Sequence, residues 1–446
     1  LTDYSNMYGV IEFYSSCKKE GIRPIIGAEF DILYRERRFK IVLIAKSFAG
    51  YKNLMRIISI VNVENPLSPT ITDSLLEEFH EGIIVLSGGI WGDISNLLII
   101  NKDEALERIS FYKNIFGGDY YLEINPQLPD DQSGGDMKSA TIAFGRENNT
   151  PLVVTWNTHY LQESDKSAHR ILYLVHGDEN SAEEYNHIFS RDSFAFSIEK
   201  YPLEQFSDIP DAIENTFKIA EACDVDIPLG RWVFPAIEFK ESYDTDLRTL
   251  AYEGLAVRDM IPTEEVKTRL DYELKVIADK GYSPYFLVVY DLLRFARENK
   301  ILTNIRGSVA GSLVTYLLQI TKCNPFVYKL PFERFLNPER PSAPDIDMDY
   351  ADTKRDDVID YARAKYGIDN VAQIGTFGTM MARGAVRDVA RAMKFPYVVG
   401  DRISKMIPPP RQGFPVTIAT ALLEVPELKE MYDTDRETQT ILDMAQ

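Results

Sequence analysis

The sequence predicts a multidomain α/β protein whose two halves have different secondary-structure patterns. Strand-like and helix-like segments alternate up to about residue 225, as they do in parallel α/β folds. From about residue 247 the pattern is mainly helical, and acidic and apolar residues alternate one for one over 344–350. The 446 residues are enough for two or three domains, each with its own core.

Composition excludes several classes of protein. Apolar residues make up 45% of the chain and aromatic residues 11%, as in ordinary globular proteins. No apolar run is long enough to span a bilayer, and no signal peptide opens the chain. Cys17, Cys223 and Cys323 are far apart and odd in number, which argues against a disulfide framework or a zinc cluster. We therefore expect a cytoplasmic protein.

The net charge of −19 argues at first sight against a nucleic-acid partner. Its distribution weakens that argument, because residues 301–446 carry 18 Lys and Arg against 19 Asp and Glu. Nearly all of the excess negative charge therefore lies in residues 1–300. Over 376–411 there are seven basic residues and two acidic ones, so this stretch could form a local basic surface.

The N-terminal elements follow one another in α/β order. Strands are predicted over 24–32, 39–45, 82–86, 120–124 and 151–155, and helices over 9–19, 51–61, 104–116, 137–148 and 164–175. In parallel sheets and barrels the chemistry lies at the C-terminal ends of strands. Asp3, Glu29 and His159 fall at such ends, so a site at a barrel mouth is geometrically reasonable.

The middle of the chain is helical and shows no candidate chemistry. After a helix over 212–222, residues 228–246 contain Pro235 and scattered charges and predict a linker. Helices over 247–260, 263–280 and 285–298 each carry an apolar face. We interpret them as support for a small sheet that follows.

The acidic segment 344–350 is the strongest candidate site. On a strand, Asp345, Asp347 and Asp349 would share one face, with the apolar residues on the other. Carboxylates this close repel one another, and hard oxygen ligands favour Mg²⁺ or Ca²⁺. Two carboxylates that bridge a pair of Mg²⁺ ions are what a two-metal phosphoryl-transfer site requires. The alternative is an exposed strand whose charges deter edge-to-edge pairing.

A turn rich in glycine and serine precedes this acidic segment. Residues 306–312 read RGSVAGS and lead into an apolar helical run from Leu313. Small residues at a helix start let a phosphate approach free backbone N–H groups, and the helix dipole favours the anion. Arg306 adds donors suited to phosphate oxygens. The alternative is a turn that only caps an ordinary helix.

These motifs resemble those of the bacterial DNA polymerase III alpha family, the family C replicative polymerases. The motifs that carry the resemblance are RGS at 306–308, AGSL at 310–313, FERFLNPER at 332–340, PDID at 344–347, QIGTFGT at 373–379 and DRISK at 401–405. LTD at 1–3 and NMYG at 6–9 resemble that family's polymerase-and-histidinol-phosphatase (PHP) domain. The resemblance covers essentially the whole chain.

The family implies a division of the chain. A PHP-like α/β barrel, truncated at its N-terminus, would occupy 1–227, followed by a linker over 228–246. An incomplete α+β nucleotidyltransferase palm of the Pol beta type would occupy 247–375. A partial helical thumb would occupy 376–446.

The resemblance also implies a reaction. A DNA-directed DNA polymerase of this family adds dNTPs to a primer 3′-hydroxyl by a two-Mg²⁺ mechanism. The implied palm residues are the catalytic, metal-binding Asp345 and Asp347 and the nucleotide-binding Arg306, Gly307, Ser308 and Arg334. For Arg334, a salt bridge to Glu333 or Glu339 is nearly as good an interpretation.

Ile305 departs from the family pattern, which usually has Gly before Arg-Gly-Ser. A β-branched residue does not readily take positive φ, so the turn is expected to enter at a different angle. This residue also supports an alternative in which the palm has decayed and the protein is a non-enzymatic scaffold.

The thumb-like segment carries a basic stripe. We predict that Thr379 caps a helix running to about Lys394. Arg383, Arg387, Arg391 and Lys394 would line one face and could follow duplex phosphates without reading bases. The alternative is a solvated helix face.

The PHP-like part has lost most of the residues that hold metal in its family. The replaced positions are Tyr4, Lys40, Gly89 and Asn157. Asp3, Glu29 and His159 persist as a degenerate site, and a lysine beside it would repel a dication. We therefore expect no PHP metals and a scaffold role. A PHP-type phosphoesterase or proofreading exonuclease is the alternative function.

The resemblance places the third catalytic Asp and the fingers after Gln446, so the chain alone is expected to be inactive. Primer–template DNA and dNTPs are the implied partners. A sliding clamp, a clamp loader and a proofreading subunit would bind regions outside these residues.

Overall fold

The structure is a computed structural model that describes residues 1–126, 133–177, 181–189, 193–196, 206–231, 233–234, 241–340, 343–410 and 414–446. It is a mixed α/β protein that divides into two compact units. The first unit comprises Leu1–Pro228 together with Gly378–Gln446, and the second comprises Leu229–Phe377. Among the described residues, no helix is both long enough and apolar enough to cross a membrane.

The first unit is built on a seven-stranded sheet in the order β1-β2-β3-β5-β6-β7, with β4 beside β2. Its strands are β1 (Thr2–Tyr4), β2 (Gly27–Tyr34), β3 (Arg37–Ala45), β4 (Thr70–Ile71), β5 (Ile83–Leu86), β6 (Tyr120–Ile124) and β7 (Leu152–Val154). Apolar side chains on one face of β2 and β3, such as Phe30 and Leu43, are fully buried in the main core.

The expectation of a parallel sheet is wrong at β3, which runs antiparallel to both β2 and β5. The reason is a two-residue turn at Arg35 and Glu36, whose φ angles are 48° and 65°. Two consecutive residues with positive φ match the tight turns that join antiparallel strands. No pairing of β7 with β1 is found among the described strands, so closure into a barrel remains a prediction.

The helices of the first unit surround this sheet. They are α1 (Val10–Lys19), α2 (Phe48–Glu64), α3 (Asp73–Glu78), α4 (Asp93–Ile100), α5 (Lys102–Phe116), α6 (Ser133–Glu147), α7 (Lys166–His176), α8 (Ser181–Phe189) and α9 (Pro210–Ala222). Helix α2 begins before the predicted residue 51 because Ser47 caps it, accepting a hydrogen bond from the Gly50 N–H.

The C-terminal helices also belong to the first unit. They are α15 (Ala382–Ala392), α16 (Tyr397–Met406), α17 (Ile418–Glu424), α18 (Pro426–Thr434) and α19 (Arg436–Ala445). Val386, Ile403 and Leu442 form a buried cluster that also contains Ile171 from α7. The predicted thumb segment therefore packs on a helix of the N-terminal part, a contact that the sequence did not reveal. The predicted domain boundaries remain predictions.

The second unit packs helices against a two-stranded antiparallel sheet. Its elements are α10 (Tyr243–Val257), α11 (Glu264–Asp279), α12 (Ser283–Glu298), β8 (Thr303–Arg306), α13 (Leu313–Leu317), β9 (Asp347–Tyr350) and α14 (Arg355–Tyr366). Within the predicted linker, residues 232 and 235–240 lie outside the described residues. The linker's predicted last residues instead begin α10, which Ser242 caps by accepting from the Thr245 N–H at 3.1 Å.

Candidate active site

Strands β8 and β9 form a polar face, on which the candidate site of the second unit lies. Arg306 pairs directly with Asp347, and Asn304 pairs with Asp349. Directly paired residues of an antiparallel ladder project from the same side. These four polar side chains therefore share one face, while Met348 on the other face packs against the buried core.

The predicted strand over 344–350 begins later than expected, at Asp347. Its partner β8 ends at Arg306, so Asp345 has no residue of β8 opposite it. The alternation of exposure nevertheless continues, because Asp345 and Asp347 are exposed and Ile346 between them is buried. Asp345 thus reaches the acidic face from the segment that leads into the strand.

Tyr285 on α12 contacts the backbone between the two aspartates. Its hydroxyl oxygen accepts a hydrogen bond from the Ile346 N–H at 3.1 Å. Burial raises the pKa of Tyr285, and the charges of Asp345 and Asp347 raise it further. No chemistry was expected on this helix, and Tyr285 after Pro284 was the only signal in its sequence.

The glycine–serine turn lies directly beside Asp347. Gly307 has a φ of 93°, and a Cβ on it would lie 3.9 Å from the Asp347 carboxylate oxygen Oδ2. Ile305 lies within β8 opposite Met348, and a turn entry that differs in angle from that of the family stays a prediction. Positive φ falls on Gly307, where glycine tolerates it.

Arg306 is held over the same face by a two-pronged ion pair. Its Nε lies 2.7 Å from Asp349 Oδ2, and its terminal nitrogen lies 2.9 Å from Asp349 Oδ1. Asn304 also donates to Asp349, at 3.4 Å. The hydrogen bond from Arg306 lowers the pKa of Asp349 and keeps this carboxylate ionised. Asp349 therefore positions the arginine next to Asp347.

The start of α13 is not a free anion site, contrary to expectation. The buried carboxylate of Glu273 accepts from the Leu313 N–H at 3.0 Å and the Val314 N–H at 3.1 Å. It also accepts from the Ser312 hydroxyl and pairs with Arg269. A carboxylate from the protein already occupies the positive end of this helix dipole. Phosphate contacts would therefore fall to residues 306–308.

Arg334 is exposed in a short 3₁₀ turn, Phe332–Arg334. The carboxylate of Glu333 accepts a hydrogen bond from the Tyr272 hydroxyl at 2.9 Å. In the described part of the chain, no ion pair joins Arg334 to Glu333 or Glu339.

The basic stripe is divided among internal contacts. The predicted Thr379 cap is wrong, because α15 begins at Ala382 and its preceding residue, Met381, makes no side-chain cap. The arginine contacts are Arg383 Nε to the Ile407 carbonyl at 2.7 Å, Arg387 to Asp401 at 3.0 Å and Arg391 to the Val175 carbonyl at 3.1 Å. Lys394 lies past the helix end with a φ of 62°.

The three residues of the degenerate PHP site lie on or near the large sheet. Asp3 is on β1, Glu29 is on β2 and His159 follows β7. Lys40 on β3 lies within 3.5 Å of Glu29 and within 3.1 Å of Asp31. In the described residues, no group of three or more His, Cys, Asp or Glu is placed to hold a metal ion.

Comparison with known proteins identifies the relatives of this chain. Residues 245–446 match the family described as the bacterial DNA polymerase III alpha NTPase domain, and residues 1–127 match the PHP domain. DNA polymerase III subunit alpha of Borreliella burgdorferi is 37% identical over 92% of this chain. The subunits of Escherichia coli K12 and Vibrio cholerae are 36% and 37% identical over 100% and 99% of it.

The chain is a relative of the bacterial DNA polymerase III alpha subunits. It spans only 37%, 40% and 39% of the length of these three relatives. Its match to the polymerase III alpha NTPase domain includes both Asp345 and Asp347 as well as the turn at Gly307.

DNA polymerases use divalent metal ions, and the two candidate sites of this polymerase III alpha relative differ in how well they suit one. Asp345 and Asp347 are exposed hard oxygen donors, and the nearby charge of Arg306 is already balanced by Asp349. These residues fit a divalent ion. In the PHP part an ammonium group lies among the carboxylates, so the residues there do not fit one.

Proposed function

We propose that the second unit is the palm of a replicative DNA-directed DNA polymerase, which adds dNTPs to a primer 3′-hydroxyl. The supporting observation is the approach of the Gly307 turn to Asp347, with Arg306 fixed on the same face. This geometry places candidate phosphate donors next to candidate metal ligands. The name shared by the relatives, DNA polymerase III subunit alpha, supports the same function.

Asp345 and Asp347 would hold two Mg²⁺ ions. When bound, these ions would lower the pKa of the primer hydroxyl and stabilise the charge on the departing pyrophosphate. The protein contributes the position of the carboxylates. Tyr285 fixes the peptide between them by accepting the Ile346 N–H, so their spacing is defined before metal binds.

Residues of the turn would hold the triphosphate. The Arg306 side chain is 63% exposed, so the N–H groups that do not bind Asp349 face solvent on the polar face of β8 and β9. Its guanidinium forms a bidentate ion pair with Asp349. This pair restricts the guanidinium to one orientation and lowers the entropy lost when a phosphate binds. Gly307 permits close approach of the backbone, and Ser308 adds a hydroxyl. Arg334 is a further exposed phosphate ligand in this proposal.

The basic stripe would contact the phosphates of primer–template DNA. Arg387 and Arg391 are exposed, although each also pairs with a neighbouring carboxylate. Exchange of such a surface ion pair for a DNA phosphate costs little, because exposed pairs contribute about 0–1 kcal/mol. Arg383 and Lys394 would complete the stripe. The contacts would be independent of base sequence.

The proposed reaction belongs to a longer protein that includes a third catalytic carboxylate and the fingers. A clamp, a clamp loader and a proofreading subunit would be partners of that longer protein. The same first unit would serve it as a PHP-type scaffold without phosphoesterase activity.

Primer extension tests the proposal. In a longer protein that contains this chain, Asp345→Asn and Asp347→Asn should each lower the Mg²⁺-dependent extension rate by about a thousandfold or more, or about 4 kcal/mol of barrier. Asp356→Asn, which removes an exposed carboxylate from α14 in the same unit, is the matched control and should extend normally. Near-normal extension by either catalytic variant would show that the assignment is wrong.

A further inference from the structure

Four side chains on three adjacent strands form a compact polar group, which we name the lysine cluster: Tyr4, Glu29, Asp31 and Lys40. The ammonium of Lys40 lies 3.1 Å from Asp31 Oδ1 and 3.5 Å from Glu29 Oε1. It also lies 3.8 Å from the centre of the Tyr4 ring. The Tyr4 hydroxyl donates to Asp31 Oδ2 at 2.5 Å, which closes the group.

Strand register explains why these residues meet. Lys40 on β3 pairs directly with Asp31 on β2, and Glu29 lies two residues away on the same face. Tyr4 on β1 is the parallel partner of Glu29. Lys40 thus connects its own strand, β3, with two others: β2 supplies two carboxylates and β1 supplies an aromatic ring.

The two carboxylates need a cation in this position. The Glu29 and Asp31 side chains are 31% and 18% exposed, so water screens their mutual repulsion only partly. Burial raises the pKa of Glu29, and the charge of Lys40 opposes that rise. The Tyr4 ring presents its face to the ammonium, a favourable cation–π arrangement.

The charge of Lys40 also reaches His159, whose imidazole is in edge contact with the rings of Phe189 and Phe194. Partial burial lowers the pKa of His159, and the charges on His169 and Lys40 lower it further. The imidazole is therefore neutral near pH 7. Carboxylates are ligands of divalent metal ions, yet the cation beside Glu29 and Asp31 is a side chain of the protein itself.

We propose that Lys40 is the resident cation of the lysine cluster: its ammonium stabilises the three-strand contact and keeps divalent metal ions out. A dication bound to Glu29 and Asp31 would lie within a few ångströms of the ammonium and would be strongly repelled. The fold of the first unit is therefore independent of divalent metal, in contrast to a site in which the metal itself balances the carboxylates.

Metal binding and thermal unfolding of the 446-residue protein test this inference. All variants would be made in an Asp345→Asn, Asp347→Asn background, so that the palm carboxylates do not bind the Mn²⁺ probe. Lys40→Met removes the charge and Lys40→Arg retains it. Lys46→Met is the matched control, because Lys46 pairs with Asp119 at 2.9 Å in the same unit and is similarly exposed.

The proteins that keep the charge and the Lys46→Met control should show no bound-Mn²⁺ spectrum by electron paramagnetic resonance. Their unfolding temperature should not change when Mn²⁺ or a chelator is added. Lys40→Met should unfold at a lower temperature without metal, recover with Mn²⁺ and bind it at least about tenfold more tightly than Lys40→Arg. Uptake of Mn²⁺ by the Lys40-containing protein, lost in Glu29→Gln, would overturn the inference, as would a Lys40→Met variant unchanged in both respects.

A further variant covers the case in which Lys40→Met does not fold. Adding Asp31→Asn to Lys40→Met removes one of the two carboxylates that the ammonium balanced and with it their mutual repulsion, so this double variant should fold and remain without Mn²⁺. A double variant no better folded than Lys40→Met would contradict the stabilising role. Failure of this inference would not affect the palm proposal, because the substitutions that differ between the compared proteins all lie in the first unit.

Discussion

At the scale of single residues, side chains on two strands and one helix form the candidate site of the second unit. The exposure of Asp345 and Asp347 on either side of a buried Ile346 was predictable, because alternation of acidic and apolar residues indicates one polar face. The bidentate ion pair between Arg306 and Asp349 was not predictable. It depends on the register of β8 against β9, which local sequence does not specify. Tyr285 was missed for the same reason, because its partner lies 61 residues away.

Removing the Tyr285 hydroxyl tests its positioning role. Tyr285→Phe keeps the ring but leaves the Ile346 N–H without this acceptor, which should cost about 1 kcal/mol of unfolding free energy. In a longer protein that contains this chain, the proposal predicts that kcat for primer extension falls about three- to tenfold with little change in the KM for dNTP, since metal spacing and not nucleotide binding is affected. Steady-state primer extension measures both.

Tyr290→Phe is the control, as it removes a hydroxyl from the same helix, α12. An equal fall in kcat for both variants, or a change confined to KM for Tyr285→Phe, would contradict the positioning role.

At the scale of elements, the fold brings α11 under the glycine–serine turn. Glu273 on α11 is fully buried and caps the N-terminus of α13. This contact fixes the end of the turn that precedes α13. Sequence indicated that α13 starts near Leu313, but not that a carboxylate from another helix would occupy its N-terminus. Such a cap depends on tertiary packing, which propensities do not encode.

Glu273→Gln should destabilise the second unit by about 2–4 kcal/mol. The neutral amide removes the charge opposite Arg269 and presents N–H donors to backbone N–H groups, and a buried group left unpaired is costly. Chemical denaturation of the 446-residue protein measures the change. Glu265→Gln, at an exposed position in the first turn of the same helix, should change the free energy by less than about 0.5 kcal/mol. Equal effects of the two substitutions would argue against the buried cap.

Helices α12 and α14 are joined through Asp291, which gives their contact a pH dependence. Burial opposes ionisation of this carboxylate, but hydrogen bonds from Lys365, Arg294, Tyr366 and Tyr361 outweigh it and lower the pKa of Asp291. A lowered pKa means that the unfolded chain binds the proton first as pH falls. The stabilisation is therefore complete above the ordinary pKa near 4 and is lost as pH falls through the lower folded value.

The comparison of wild type with Asp291→Asn should show this dependence. Wild type should be more stable by about 3 kcal/mol at neutral pH, because the substitution leaves Lys365 and Arg294 without their buried partner. The difference should shrink as the pH falls below about 4, measured by urea denaturation at a series of acidic pH values. A difference that stays constant over this range would contradict an ionised Asp291 as the link.

At the scale of the whole molecule, the sequence predicted the mixed α/β class and most helices, whose apolar periodicity is strong. It did not predict that β3 runs antiparallel, since this follows from the two-residue turn at Arg35 and Glu36. Nor did it predict that the C-terminal helices share a core with Ile171 of α7. Contacts between distant segments depend on tertiary packing, which local sequence patterns do not specify.

The two units also differ in the charged partners of their carboxylates. In the first unit, Glu29 and Asp31 are balanced by a lysine, which suits a structural role. In the second unit, Asp345 and Asp347 are exposed beside a glycine turn, and the adjacent arginine is paired with Asp349. This difference supports the proposal that catalytic activity lies in the second unit and that the first unit is a scaffold.

A metal-switch experiment tests this account most directly. In a longer protein that contains this chain, Asp347→Cys should lower Mg²⁺-dependent primer extension by about a thousandfold, because a thiolate is a poor ligand for Mg²⁺. Cd²⁺ or Mn²⁺, which accept sulfur ligands more readily, should restore part of the rate. Asp349→Cys should show no such metal preference, since Asp349 holds Arg306. Extension by Asp347→Cys at the wild-type rate with Mg²⁺ would contradict metal ligation by Asp347 and with it the proposed palm.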